Sequence, residues 1–170
     1  MNTVLESVIE HHVWANDTLL ASCEGLSEAQ LSLTVPGTFG SVMKTIVHIA
    51  EAEQIYLSRI PDTGVVHALD DEAEHLPPVA DVRKALRETG QAWRAVVERW
   101  PDDRPVTYAR HGQEEHRSVS FFLVQMLDHG AEHRNHIRTI LSAHGVEPPE
   151  IDGWEWDDAR RGGATGRNPT

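Results

Sequence analysis

Near the end of the sequence the chain reads Met126-Leu127-Asp128-His129-Gly130-Ala131-Glu132-His133-Arg134-Asn135-His136-Ile137. Residues four apart are neighbours on one face of a helix, with Cβ atoms about 5–6 Å apart, so a helix here pairs His129 with His133. Met126 and Ile137 lie on or beside the same face. The stretch therefore predicts a helix that buries two imidazoles among core side chains. Buried imidazoles need polar partners, and a metal ion is one candidate.

The composition is that of a single soluble globular domain. Of the 170 residues, 39% are hydrophobic and 25% are charged, and the formal net charge is −12. This acidic balance argues against a nucleic-acid partner, which needs a concentrated basic patch. The sequence therefore favours a small-molecule partner over a nucleic acid.

Membrane and secretion signals are not found in the sequence. No segment has the length and apolarity of a membrane span, and residues 1–10 lack the basic start and apolar centre of a signal peptide. The single cysteine, Cys23, excludes an internal disulfide and a thiolate metal cluster. We therefore expect a cytoplasmic protein with no membrane partner.

Apolar residues recur at helical spacing in four long segments. Ser41 is placed to cap the start of the second segment, and Gly145 to end the fourth. Ser27 and Gln30 have the spacing of a capping box, which predicts one further short helical turn. The four long helices are expected over residues 3–22, 42–60, 79 or 81 to 100, and 118 or 120 to 144.

Two short segments between the third and fourth helices have strand character. Residues 105–110 and 115–119, joined through His111-Gly112-Gln113, predict a small β-hairpin. The connector between the second and third helices, residues 62–78, is polar and acidic. Its run Asp70-Asp71-Glu72 is expected to be a solvated loop.

Together these elements predict an all-α fold, a four-helix bundle with a small β-hairpin before the last helix. We expect one domain over residues 1–157 and a disordered C-terminal tail over residues 158–170. Trp154 and Trp156, just before that tail, have the character of core or interface residues.

A third histidine joins the pair if the bundle forms. Facing helices can bring His48, in the second helix, against His129 and His133. Three neutral imidazoles at about 2.0–2.1 Å would hold a divalent ion and leave a position open for water or substrate. Zinc and nickel both suit imidazole ligands. The alternative is that these are core histidines satisfied by hydrogen bonds.

The remaining histidines have a simpler interpretation. His11, His12 and His67, with the others, fit surface or turn positions. Glu51 and Glu53 in the second helix are likewise interpreted as exposed helical carboxylates. None of these residues is assigned a role in the proposed site.

Three short motifs occur in order along the chain: Trp14-Ala15-Asn16, then Ile46-Val47-His48-Ile49-Ala50-Glu51-Ala52-Glu53, then His129-Gly130-Ala131-Glu132-His133-Arg134. With the predicted hairpin and the late motif Pro149-Glu150-Ile151-Asp152-Gly153-Trp154, they resemble the DinB/YfiT-like superfamily of metalloenzymes. The resemblance covers most of residues 1–157. It implies a four-helix bundle whose three metal ligands fall on His48, His129 and His133. Dimers are common in that superfamily, so a homodimer is compatible with the resemblance.

The chain departs from the family pattern after His133. Many members continue as His-Arg-Gly-Gln, whereas this chain has His133-Arg134-Asn135-His136. His136 is then a fourth ligand, a hydrogen-bond partner of a ligand, or a replacement for the usual Gln. We favour the hydrogen-bond partner, because His133 and His136 would be strained in sharing one ion with His129.

The resemblance also bears on function. Characterised relatives include transferases and isomerases that use low-molecular-weight bacterial thiols such as bacillithiol and mycothiol. The first hypothesis is therefore a metal-dependent enzyme of the thiol S-transferase or isomerase type, with a small-molecule substrate and a thiol co-substrate held by the metal.

Two other functions stay open. The stretch His129-Gly130-Ala131-Glu132-His133 reads as H-x-x-E-H, so a metallohydrolase with Glu132 as general base is the second hypothesis. Glu132 lies about 100° around the helix from His133, which favours an ordinary exposed carboxylate. The third hypothesis is a non-catalytic, stress-related dimeric protein that binds a metal structurally.

Overall fold

The computed structural model describes residues 4–100 and 102–162 of the chain. This part of the chain is mostly helical, with one two-stranded antiparallel hairpin. The elements, in order, are α1 (Val4–Cys23), α2 (Glu28–Leu31), α3 (Val42–Arg59), α4 (Val79–Arg99), β1 (Pro105–Arg110), β2 (Gln113–Ser118), α5 (Val119–Ala143) and α6 (Gly153–Arg160).

Side-chain caps fix several helix starts, as the sequence predicts. Ser27 forms a full capping box with Gln30 at the start of α2. The Ser41 side chain accepts a backbone N–H in the first turn of α3, and Ser118 does the same for α5. Gly145, with a φ of 75°, follows the end of α5 in the left-handed conformation that terminates helices.

The hairpin has a tighter turn than predicted. Arg110 pairs directly with Gln113, so the connection is the two residues His111 and Gly112 instead of three. Their φ values are 50° and 76°, and two consecutive positive φ values are what a type I′ hairpin turn requires. The prediction that β2 begins at Glu115 is therefore wrong by two residues.

One further helix, α6, was not predicted. Asp152 caps it by accepting the backbone N–H groups of Trp154 and Glu155. The hairpin consequently precedes two helices, α5 and α6, and not only the last one.

Helix α6 packs against α1, where the ring of Trp156 meets that of His11 edge-on at 5.8 Å between centroids. Within the predicted tail, residues 163–170 lie outside the described part of the chain.

Each of the four long helices packs against two of the others. Helix α1 packs against α4 and α5, and α3 packs against the same two helices. Helices α1 and α5 run in the same direction. His12 of α1 lies against Gly130 of α5, and four residues later on each helix Asn16 contacts Arg134. No described helix is both long enough and apolar enough to cross a membrane.

Two hydrophobic clusters fill the space between these helices. Each fully buried Leu, Ile or Phe side chain contributes roughly 1.5–3 kcal/mol relative to an exposed one. One cluster includes Leu19, Ile46, Val82, Ile137 and Ile140, and the other includes Ile9, Leu57, Trp93, Phe122 and Met126.

Candidate metal centre

Three histidines from two helices meet in one cluster. His48 comes from α3, and His129 and His133 come from successive turns of α5. The Nε2 atoms of His48 and His129 are 3.0 Å apart. The ring centroid of His133 lies 4.7 Å from that of His48 and 4.3 Å from that of His129. One ring nitrogen of each histidine lies within 4.8 Å of the other two. Two nitrogens bound tetrahedrally to one ion would be roughly 3.3 Å apart, so the spacing fits a shared cation.

Burial keeps two of these imidazoles neutral. It lowers the pKa of His129 to about 3 and that of His133 to about 4, and the neighbouring imidazoles lower both pKa values further. At neutral pH both rings therefore retain a nitrogen lone pair. Neutral imidazoles are the form that binds transition-metal ions, so the donor set fits such an ion chemically.

A carboxylate from the connector after α3 orients His48. Nδ1 of His48 donates to Oδ2 of Asp71 at 2.6 Å, because a carboxylate can only accept. The bond leaves Nε2 of His48 as the unprotonated nitrogen, which can accept, and it lies 3.0 Å from Nε2 of His129. The Asp71 side chain is only 10% exposed. The prediction that Asp70-Asp71-Glu72 is a solvated loop is therefore wrong for Asp71.

The connector folds back on α3 because α3 side chains bind its backbone. Oε1 of Gln54 accepts the N–H groups of Ala68 and Leu69 at 2.9 and 3.0 Å. Oε2 of Glu51 accepts the N–H of Asp71 at 3.0 Å. These bonds hold the segment that carries Asp71 against α3. The sequence of this connector has no clear periodicity, so it does not predict that placement.

Glu51 belongs to the same centre. Its Oε1 lies 3.1 Å from Nε2 of His67, and its side chain is 15% exposed. His48, Glu51 and Asp71 also offer one atom each within 4.8 Å of one another. The interpretation of Glu51 as an ordinary exposed carboxylate is therefore incomplete, because two carboxylates lie beside the three imidazoles.

His136 contacts His133 on α5. The two Nδ1 atoms are 3.2 Å apart, so one ring donates to the other. If His133 is the donor, its Nε2 carries the lone pair and is free for a cation. His136 does not belong to the group of three imidazoles whose nitrogens lie within 4.8 Å of one another.

An aromatic ring covers one side of the centre. Phe39, from the loop before α3, stacks on His48 with 3.9 Å between ring centroids. The same ring meets His133 edge-on at 5.1 Å and remains 38% exposed. The sequence predicts no role for Phe39, because a Pro- and Gly-rich loop carries no periodic signal.

The other side opens into a cleft with a volume of about 290 Å³. Tyr56 lies in this cleft, with its ring 6.1 Å from that of His129, and Gln125 donates to its hydroxyl at 3.4 Å. Burial raises the pKa of Tyr56, so its hydroxyl stays protonated at neutral pH. Glu132 is exposed on α5 and does not line the cleft. The lining residues are His48, Glu51, Ala52, Ile55, Tyr56, Asp71 and His129.

A buried polar network lies behind the histidines and involves all four long helices. Glu53 of α3 is 3% exposed, and its two carboxylate oxygens accept from His12, Asn16 and Thr89 at 2.9, 3.0 and 2.6 Å. His12 is 1% exposed. The predictions that His12 is a surface residue and Glu53 an exposed carboxylate are therefore wrong. The signal for His12 is its position in the apolar stripe of α1.

The network fixes one tautomer of His12. Arg134 can only donate, so Nδ1 of His12, 3.2 Å from its Nη1, is the acceptor and Nε2 carries the proton given to Glu53. Burial lowers the pKa of His12 and brings that of Arg134 down to about 10, so Arg134 stays charged at neutral pH. Gly130 makes the close approach possible, because a Cβ there would lie 2.4 Å from Cε1 of His12.

The fold and this centre define a mostly helical protein with a candidate histidine-rich metal site. Residues 1–163 match the model of the DinB family, and the chain belongs to that family. The predicted family resemblance is thereby confirmed. A comparison with curated proteins produced no match.

Proposed function

We propose that the protein is a metal-dependent enzyme that binds one divalent ion through His48, His129 and His133 inside a four-helix bundle. The observation that carries the proposal is the convergence of three imidazole nitrogens within 4.8 Å of one another. Zinc and nickel are the ions we favour, because both accept three imidazoles with a position left for another ligand.

The surrounding residues have distinct parts in this proposal. Asp71 holds the His48 ring by accepting from Nδ1, and His136 would do the equivalent for His133 with His133 as the donor of their bond. Phe39 excludes water from one side of the centre by covering two of the rings. A ligand therefore reaches the centre from the cleft that Tyr56 lines.

We further propose a reaction of the thiol S-transferase or isomerase type. When bound, the ion would keep a thiol deprotonated at neutral pH. The cleft of about 290 Å³ suits a small thiol and its partner molecule better than a macromolecule. Tyr56 supports this role, because its protonated hydroxyl can donate a hydrogen bond to a bound substrate.

Elemental analysis tests the metal site. The purified protein is expected to contain about one zinc or nickel ion per chain, and its His48→Ala variant close to none. His116→Ala is the matched control, since the His116 side chain is 68% exposed on the hairpin, and it should retain the ion. Equal metal content in the protein and in His48→Ala, or none in either, would contradict the proposal.

Conjugation assays test the reaction. The metal-loaded protein is incubated with a small electrophile and each of several common bacterial thiols, and thiol consumption is followed. Thiol-dependent turnover that disappears in His129→Ala is expected. If no thiol supports turnover by metal-loaded protein, the transferase assignment fails while the metal site stands.

A further inference from the structure

The polar lining of the cleft has one sign of charge. Glu51 and Asp71 each present a carboxylate there, and the described lining residues include no Lys or Arg. Lys44 lies one turn before His48, but its ammonium group pairs with Glu72. A ligand in the cleft therefore meets negative charge without a compensating cation from the lining.

Of the two carboxylates, Glu51 is the one available to accept a hydrogen bond from a ligand. Asp71 is committed to the His48 ring through a 2.6 Å bond. Glu51 accepts one bond on each oxygen, from His67 and from the N–H of Asp71. Each carboxylate oxygen can accept two hydrogen bonds, so Glu51 keeps acceptor capacity while these bonds hold it in place.

The formal charges of the metal-loaded centre favour a ligand that carries a positive group. A divalent ion on three neutral imidazoles contributes +2, and the carboxylates of Asp71 and Glu51 together contribute −2. A thiolate on the ion then leaves the centre at −1. An ammonium group on the same ligand restores neutrality, whereas a carboxylate group adds repulsion in a partly desolvated space.

We infer that Glu51 makes the cleft selective for small thiols whose second functional group is an amine, and against thiols whose second group is a carboxylate. The inference rests on the proposed function in one respect, because it takes the ion to hold the sulfur.

Three thiols of nearly equal size form the test series. Cysteamine, 2-mercaptoethanol and 3-mercaptopropionate place an ammonium, a hydroxyl and a carboxylate at the same end of a short chain. Each is titrated into zinc-loaded protein, and binding is followed by NMR through the methyl signals of Ala52 and Ile55, which line the cleft. Cysteamine is expected to bind about tenfold more tightly than 3-mercaptopropionate, with 2-mercaptoethanol between them.

Two variants connect the preference to Glu51. Glu51→Gln keeps an oxygen that can accept the N–H of Asp71, and it should reduce the tenfold preference to about twofold or less. Glu132→Gln removes the same charge from an exposed position on α5 and should leave the preference unchanged. Equal affinities in the unchanged protein, a reversed order, or no methyl shift with any of the three thiols would overturn the inference.

The same titrations in metal-free protein separate this inference from the proposed function. Without the ion the cleft is more negative, so the order of the three ligands should persist at weaker affinity. If zinc fails to bind but the order persists and is lost in Glu51→Gln, the metal site is wrong and the selectivity stands. If zinc binds and the three thiols bind equally, the selectivity is wrong and the metal site stands.

Discussion

Nδ1 of His48 donates to Oδ2 of Asp71 across 2.6 Å, and this bond directs Nε2 of the same ring toward His129. A carboxylate behind a ligating histidine fixes its tautomer and makes it a stronger ligand. The acidic connector is thus part of the candidate centre, although it contributes no imidazole to it.

Asp71→Asn should weaken metal binding without abolishing it. An amide can still accept from the ring but does not supply the negative charge, so we expect the dissociation constant for zinc to rise about 10–100-fold. Competition with a chromophoric chelator measures this change. Asp70→Asn, at the exposed neighbouring position, is the control and should bind zinc normally. An unchanged affinity in Asp71→Asn would remove Asp71 from the centre.

Gly130→Ala should destabilise the protein despite favouring the helix. Alanine stabilises a helix by about 1 kcal/mol relative to glycine, but the new methyl would lie 2.4 Å from Cε1 of His12. Crowding of this kind costs about 1–3 kcal/mol, so a net loss is expected in urea unfolding. Gly25→Ala is the control, since nothing lies within 4 Å of a Cβ there. A more stable Gly130→Ala protein would contradict the packing of α5 on His12.

Glu53→Ala should be among the most damaging single changes. It leaves His12, Asn16 and Thr89 without their shared acceptor in the core, and Arg134 without a nearby negative charge. Loss of such a partner costs on the order of 3 kcal/mol in the free energy of unfolding. The exposed substitution Glu132→Ala should cost less than about 0.5 kcal/mol in the same denaturant titration. Equal effects of the two substitutions would count against a buried network.

The metal-free protein should lose stability as the pH falls from about 6.5 toward 4. In the folded chain the pKa of His129 is lowered to about 3 and that of His133 to about 4, against an ordinary value of 6.5. Between these values the unfolded chain binds more protons, so unfolding becomes easier as the pH drops. Thermal unfolding between pH 7 and 4.5 measures this, and the slope should be smaller in His129→Gln. Identical slopes in both proteins would contradict the burial of His129.

Protons and metal compete for the same nitrogens, so zinc should also leave the protein in acid. Release is expected around or below pH 6, because an imidazole must be neutral to bind. Dialysis at a series of pH values followed by metal analysis gives the profile. Full zinc retention at pH 4 would argue against a site made of imidazoles.

The parts of the molecule with strong periodicity were predictable from sequence. The spacing of His129 and His133 on an apolar face identified one side of the centre, and His48 followed from a helix expected to face it. Serine caps and Gly145 located helix ends within a few residues, because these signals act over one turn.

The parts that depend on contacts between distant segments were not predictable in this way. Asp71 and Phe39 reach the centre from aperiodic segments, and their positions depend on how those segments fold onto α3. The prediction that Glu53 is exposed is wrong for a related reason. A buried carboxylate is tolerated only when other helices supply its hydrogen-bond donors. His12 is the exception, because its spacing from Ala15 and Leu19 places it in the apolar stripe of α1, a signal that the surface interpretation did not use.

X-ray absorption at the metal edge tests the central claim most directly. The zinc-loaded protein is predicted to show three imidazole nitrogens at about 2.0–2.1 Å with one further light atom or sulfur. His48→Ala, which should retain little metal through purification, is predicted to show one imidazole fewer when zinc is supplied in excess. A spectrum without imidazole scattering, or one that is identical in His48→Ala, would contradict a metal centre formed by His48, His129 and His133.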